Sequence, residues 1–134
     1  LQATLKAIRL LKNNYLTYGT RDLLLEIIVP KQEVPVAIEA LRKSTSDFPY
    51  LTGSARLDDQ GYSVYIGCRP GKPALAAKSC QIINKKGLDA LDEAVTLIQE
   101  ELSFQSNSHA GAEYRLEMAK NMFKRLVKEV AQWK

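Results

Sequence analysis

The stretch Leu51–Cys68, LTGSARLDDQGYSVYIGC, decides how the rest of the chain is read. Apolar residues recur at every second position on both of its arms. Leu51, Ala55 and Leu57 share one face of the first arm, and Tyr62, Val64, Ile66 and Cys68 share one face of the second. Thr52, Ser54, Arg56, Ser63 and Tyr65 fall on the opposite faces. A period of two is that of a half-covered strand. Between the arms lies Asp58-Asp59-Gln60-Gly61, whose glycine tolerates the positive φ of a tight turn. An antiparallel β-hairpin is expected.

Working upstream, Asp22–Val29 reads DLLLEIIV, a short branched apolar run of the kind found in central strands, and Pro30 stops it. Pro35 suits the first turn of a helix, and Val34, Ile38 and Leu41 lie on one helical stripe, so a helix is expected to about Lys43. Ser44–Asp47 and Pro49 make a loop. At the start of the chain Leu1, Leu5, Ile8 and Leu11 mark a further helix.

Working downstream, Arg69-Pro70-Gly71-Lys72-Pro73 ends the sheet pattern and a short helix is expected over Ala74–Ile83. Leu88, Leu91, Val95, Ile98 and Leu102 then step 3-4-3-4, as do Leu116, Ala119, Phe123, Leu126 and Val130 after the polar stretch Ser103–Gly111. The expected fold is therefore α+β: a small three-stranded sheet with a βαββ core of ferredoxin-like type. An N-terminal helix and a C-terminal pair of long amphipathic helices flank it. One domain spans 1–134, divided into an N-terminal helix and connection (1–20), a strand-helix-hairpin unit (21–69) and a helical region (70–134).

The 134 residues are 46% hydrophobic and 25% charged, ordinary globular usage that excludes disordered and fibrous classes. No apolar run reaches the length of a membrane span. Cys68 and Cys80 form no CxxC pair, which argues for a reducing, cytoplasmic location. The basic, acid-free start with Lys6, Arg9 and Lys12 leaves organelle import as the alternative. Leu1 in place of Met points to a fragment or processed form.

Net charge is +4, unevenly spread. Residues 87–110 carry −5 with no Lys or Arg, whereas residues 1–45, 46–86 and 111–134 carry +3 each. Such a division suits helix pairing at least as well as phosphate binding.

Chemistry-bearing constellations are sparse. His109, the single histidine, has no sequence context that sets it beside Cys68 or Cys80 as a catalytic base. One His and two scattered Cys fall short of a metal set, and Asp58–Asp59 serve a turn more naturally than an ion. Glu26 interrupts an apolar strand and would be a general acid or base if buried. No catalytic residue, metal or cofactor is assigned, and no stretch carries a family signature.

The strongest signal is the C-terminal helix, with Phe123, Leu126, Val130 and Trp133 as apolar anchors flanked by Lys124 and Lys128. It points to a non-enzymatic assembly module that self-associates or docks a protein partner. The alternative is a nucleic-acid-binding domain using Arg56, Arg69, Lys72, Lys78, Lys85 and Lys86. An enzyme without a legible motif comes third.

Overall fold

The computed structural model describes residues 33–133. The expected N-terminal helix, the Asp22–Val29 strand and Glu26 lie outside those residues. What is described is the unit that begins at Val34.

Four strands form one antiparallel sheet in sequence order: β1 (Val36–Leu41), β2 (Leu51–Asp58), β3 (Gly61–Gly67) and β4 (Ala74–Leu75). The central hairpin has the expected register, with Ala55 opposite Val64 and Asp58 opposite Gly61. Gly61 adopts φ 98, and the Asp58 carboxylate accepts the Gln60 amide at 2.9 Å. The aspartate thus serves the turn.

The expected helix after Pro35 is instead strand β1, and the ferredoxin-like three-stranded core is overturned with it. Residues 36–41, VAIEAL, satisfy either period. Val36 and Ile38 are β-branched, and pairing with β2 in the register Val36↔Arg56 to Leu41↔Leu51 settles the matter. Pro35 stands just before the strand, where its carbonyl accepts the Leu57 amide at 3.1 Å and its missing N–H costs nothing.

Helices cover one face of the sheet. α1 (Ala77–Lys86) packs on β3, and α4 (Ala112–Ala131) lies across β1 and β2. Between them the expected single helix over Leu88–Leu102 is broken. A 3-10 turn (Leu88–Ala90) leads into α2 (Leu91–Thr96) and α3 (Ile98–Glu101). Leu91, Val95, Ile98 and Leu102 of the heptad stripe are buried, while Leu88 is exposed.

The core joins Ala37, Leu51, Ala55, Val64 and Ile66 of the sheet to Ile83, Met122, Phe123, Leu126 and Val130 of the helices. Close approach of α4 to β2 depends on Gly53, where an added Cβ would stand 2.6 Å from Met122 Sδ and 2.7 Å from Leu126 Cδ1. Gly53→Val is expected to push the helix off the sheet and lower stability by about 3 kcal/mol, read from urea unfolding.

The outer face of the sheet carries Val36 and Ile38 on β1, Ser54 and Arg56 on β2, Tyr65 on β3 and Leu75 on β4. Ile38, Ser54, Tyr65 and Leu75 form one cross-strand row. Among the described residues no helix is long and apolar enough to cross a membrane.

Candidate functional site

The amphipathic stripe of α4 does not face outward. Phe123, Leu126 and Val130 have no solvent-accessible surface, so these three anchors are spent on the chain's own core. Trp133, by contrast, is 70% exposed beyond the end of the helix. Lys124 donates to Asp92 at 2.6 Å, and this bond is the main reason the Asp92 carboxyl is held below the usual range. Lys128, exposed on the next turn, adds to the same effect. The charge complementarity between the acidic segment and the last helix is thus realised within one chain.

The six basic residues singled out for phosphate binding fall on β2 (Arg56), on the connection after β3 (Arg69 and Lys72) and on α1 (Lys78, Lys85 and Lys86). Arg56 pairs with Asp58 at 2.5 Å across its own strand. Arg69 donates to the Ser103 carbonyl at 2.7 Å and to the Lys72 carbonyl at 2.8 Å, tying together the connections after β3 and after α3. Its Nε is buried with no hydrogen-bond partner, and burial lowers the guanidinium pKa. Lys86 meets Glu93 at 2.7 Å. Lys78 and Lys85 are exposed on α1.

A phosphate needs free N–H groups and positive potential, which helix N-termini supply. Here the start of α1 is closed by a carboxylate, and the first amide of α4 donates to the Ser106 hydroxyl at 2.9 Å. Glu101 closes α1, accepting from the Lys78 amide at 2.7 Å, the Ser79 amide at 3.1 Å and the Ser79 hydroxyl at 2.5 Å. Asp92 and Glu93 lie in the first turn of α2, Glu100 and Glu101 in that of α3, and Glu113 in that of α4. Acids in a first turn complement the helix dipole, and Glu101 takes the place an anion would use at α1.

Cys80 is not a nucleophile in waiting. Cys80 is buried under the sheet, where its sulfur accepts the Val64 amide at 3.3 Å. Burial pushes its thiol up to about 11. A thiolate is the reactive form, so only about one Cys80 in a thousand is reactive at pH 8. Iodoacetamide at that pH should modify Cys68 alone in the folded protein and both cysteines in urea. A second label on native protein would show that Cys80 is accessible. Because the neutral thiol is favoured in the fold, stability should also decline as pH rises from 9 towards 11, where the unfolded chain ionises first. Cys68 holds φ 57, in the left-handed region, and its sulfur lies 3.8 Å from the Thr52 hydroxyl. His109 stacks on Tyr50 with ring centroids 6.5 Å apart. No group of three or more metal-ligating side chains occurs among the described residues.

The residue that sequence reading missed is Arg115. It is 2% exposed and donates four hydrogen bonds: Nε to the Tyr50 carbonyl at 3.0 Å, Nη1 to the Gln105 and Ala110 carbonyls at 2.7 Å each, and Nη2 to Asn107 Oδ1 at 2.8 Å. Asn107 Oδ1 in turn accepts the His109 and Ala110 amides. One guanidinium therefore fixes the end of the β1–β2 connection and the whole turn before α4. Only its place on the helix was legible, because residues 115, 119, 122, 126 and 130 step along one face.

Residues 36–130 match the family described as the CO dehydrogenase flavoprotein C-terminal domain. Three solved structures have the same fold. Quinoline 2-oxidoreductase from Pseudomonas putida 86 is 20% identical with a TM-score of 0.67, over 78% of this chain and 39% of that one. A reconstituted CO dehydrogenase from Oligotropha carboxidovorans is 26% identical with a TM-score of 0.65, over the same shares. Carbon monoxide dehydrogenase from Hydrogenophaga pseudoflava is 15% identical with a TM-score of 0.67, over 79% of this chain and 39% of that one. No curated protein matches the chain.

These matches overturn both leading functional expectations, the non-enzymatic assembly module and the nucleic-acid-binding domain, and they remove the lean away from an enzyme. They also replace the ferredoxin-like core by a four-stranded meander with helices on one face. The matched span begins at the first residue of β1 and ends within the last turn of α4. The chain belongs to the CO dehydrogenase flavoprotein C-terminal domain family.

Proposed function

We propose that the chain is the C-terminal lobe of a flavin-dependent oxidoreductase, serving as a rigid framework on which the flavin-carrying part of the protein and its redox partners are held. The observation that supports this most is the coincidence of the family span, 36–130, with the complete sheet-and-helix unit.

The described residues do not themselves fit a flavin nucleotide. Its phosphate would need a donor cradle, and the start of α1 is closed by Glu101 while the first amide of α4 is taken by the Ser106 hydroxyl. Flavin binding is therefore assigned to the remainder of the protein; the matched solved chains are covered only to 39% of their length. Substrate choice is assigned elsewhere too. The fold is shared by enzymes whose names specify quinoline and carbon monoxide, two molecules with little in common.

A protein partner is part of this reading, as is a cytoplasmic setting that keeps Cys68 and Cys80 as thiols. The full-length protein, purified and heat-denatured, should release about one flavin per chain and should reduce an artificial electron acceptor when given its substrate. Purified full-length protein without flavin would sink the proposal.

A further inference from the structure

We infer that Asn107 modifies itself: the fold drives its side-chain amide, through a cyclic imide with the Ser108 nitrogen, to an aspartate that pairs with the buried Arg115. The reaction lies beyond the proposed function and requires neither flavin nor a partner.

An asparagine deamidates when the backbone nitrogen of the next residue attacks its Cγ. Negative charge then gathers on Oδ1. Donors aimed at an oxygen that gains charge lower such a barrier, and in an enzyme's oxyanion hole one donor is worth about 10²–10³ in rate. Asn107 Oδ1 has three donors: Arg115 Nη2 at 2.8 Å, the His109 amide at 3.0 Å and the Ala110 amide at 3.2 Å. One of them is a full positive charge, on a side chain of a residue only 2% exposed. Three donors around one atom also fix which end of the amide is the oxygen. The nucleophile is uncommitted, since among the described residues none accepts the Ser108 amide. Asn107 and Ser108 are both exposed, so water reaches the reacting atoms.

The Ser108 N–H gives its proton to a solvent base, the N–Cγ bond forms, and the Cγ–Nδ2 bond breaks as ammonia leaves. Water then opens the imide. Addition at Cγ yields aspartate, whereas addition at the Asn107 backbone carbonyl carbon yields isoaspartate. The oxygen on Cγ is the one that faces the three donors, so aspartate is favoured. In sum one water is consumed and one ammonia is released.

The product fits the site better than the starting residue does. All four hydrogen bonds from Arg115 end on neutral oxygens, which leaves a buried charge uncompensated. Asn107 Nδ2 donates to none of the described residues, so exchanging it for oxygen forfeits no hydrogen bond. A carboxylate at 107 accepts the same three donors and adds the missing charge.

Freshly synthesised full-length protein is incubated at mildly alkaline pH, native and in guanidinium, and then digested with trypsin. Residues 87–115 form one tryptic peptide in which Asn107 is the single asparagine. Its amide-to-acid mass gain should appear at least about tenfold faster in the native sample, with aspartate as the main product. Any smaller ratio, or a majority of isoaspartate, overturns the inference. Ser108→Pro leaves no N–H to ionise and should abolish the gain; its persistence overturns the cyclic route. Asn107→Asp should melt above the wild type near neutral pH and lose that advantage when acid protonates the carboxylate. A melt no higher than that of the wild type overturns the pairing with Arg115.

Discussion

Leu126→Asp combined with Val130→Asp should leave no folded protein, with the far-ultraviolet circular dichroism of the unfolded chain at 25 °C. Both side chains have no solvent-accessible surface and lie on the face of α4 that covers the sheet. An ionised carboxylate forced into such a place without a partner costs several kcal/mol, and two of them match or exceed the roughly 5–15 kcal/mol that holds a domain together. If these residues formed an exposed docking stripe instead, the double variant would remain folded. The outcome therefore separates core from interface in one experiment.

Replacing Arg115 by methionine should be the most damaging single substitution of a polar residue. Methionine fills a similar volume but leaves the Tyr50 and Gln105 carbonyls without their donor and the Ala110 carbonyl with the Asn107 amide alone. An enclosed acceptor deprived of its partner costs about 1–3 kcal/mol, and removal of this hub is expected to lower stability by about 3–5 kcal/mol. For a unit of this size the melting temperature should drop by more than about 10 °C. Arg115→Lys should rescue little, because one ammonium cannot span acceptors arranged around a planar fork. A loss below about 1 kcal/mol would mean that water replaces the guanidinium.

How far the sequence could be read depended on whether one local pattern had a rival. In Leu51–Cys68 the alternation, the turn residues and the spacing agree, and the hairpin has the register they imply. In Val34–Lys43 they do not. Val34, Ile38 and Leu41 fit a helix while Ala37, Glu39 and Leu41 fit a strand, and only pairing with β2 decides between them. Ala74–Leu75 is too short to show any period before α1 begins.

The α4 stripe was read correctly as amphipathic, but periodicity cannot tell whether the covering surface is one's own sheet or a partner. The same limit hid Arg115, since a cation on an apolar stripe reads as a stripe edge until its acceptors are known. Glu101 was counted as one more acid, although its role as the lid of α1 depends on a residue 23 positions away. Function was legible in neither motif nor charge: the described residues bring no group of three metal-ligating side chains together, and the family shows only over the whole span 36–130.

The strands follow one another across the sheet in the order in which they are synthesised, yet the helix that shields β1 and β2 is the last of the described elements. On the ribosome the meander can assemble from neighbouring segments while Ala37, Leu51 and Ala55 still face water. For the interval before Ala112–Ala131 emerges, the nascent chain presents a bare apolar sheet with an open β1 edge among the described residues. Stalled or prematurely terminated products are therefore natural clients for holding chaperones and natural seeds for inclusion bodies.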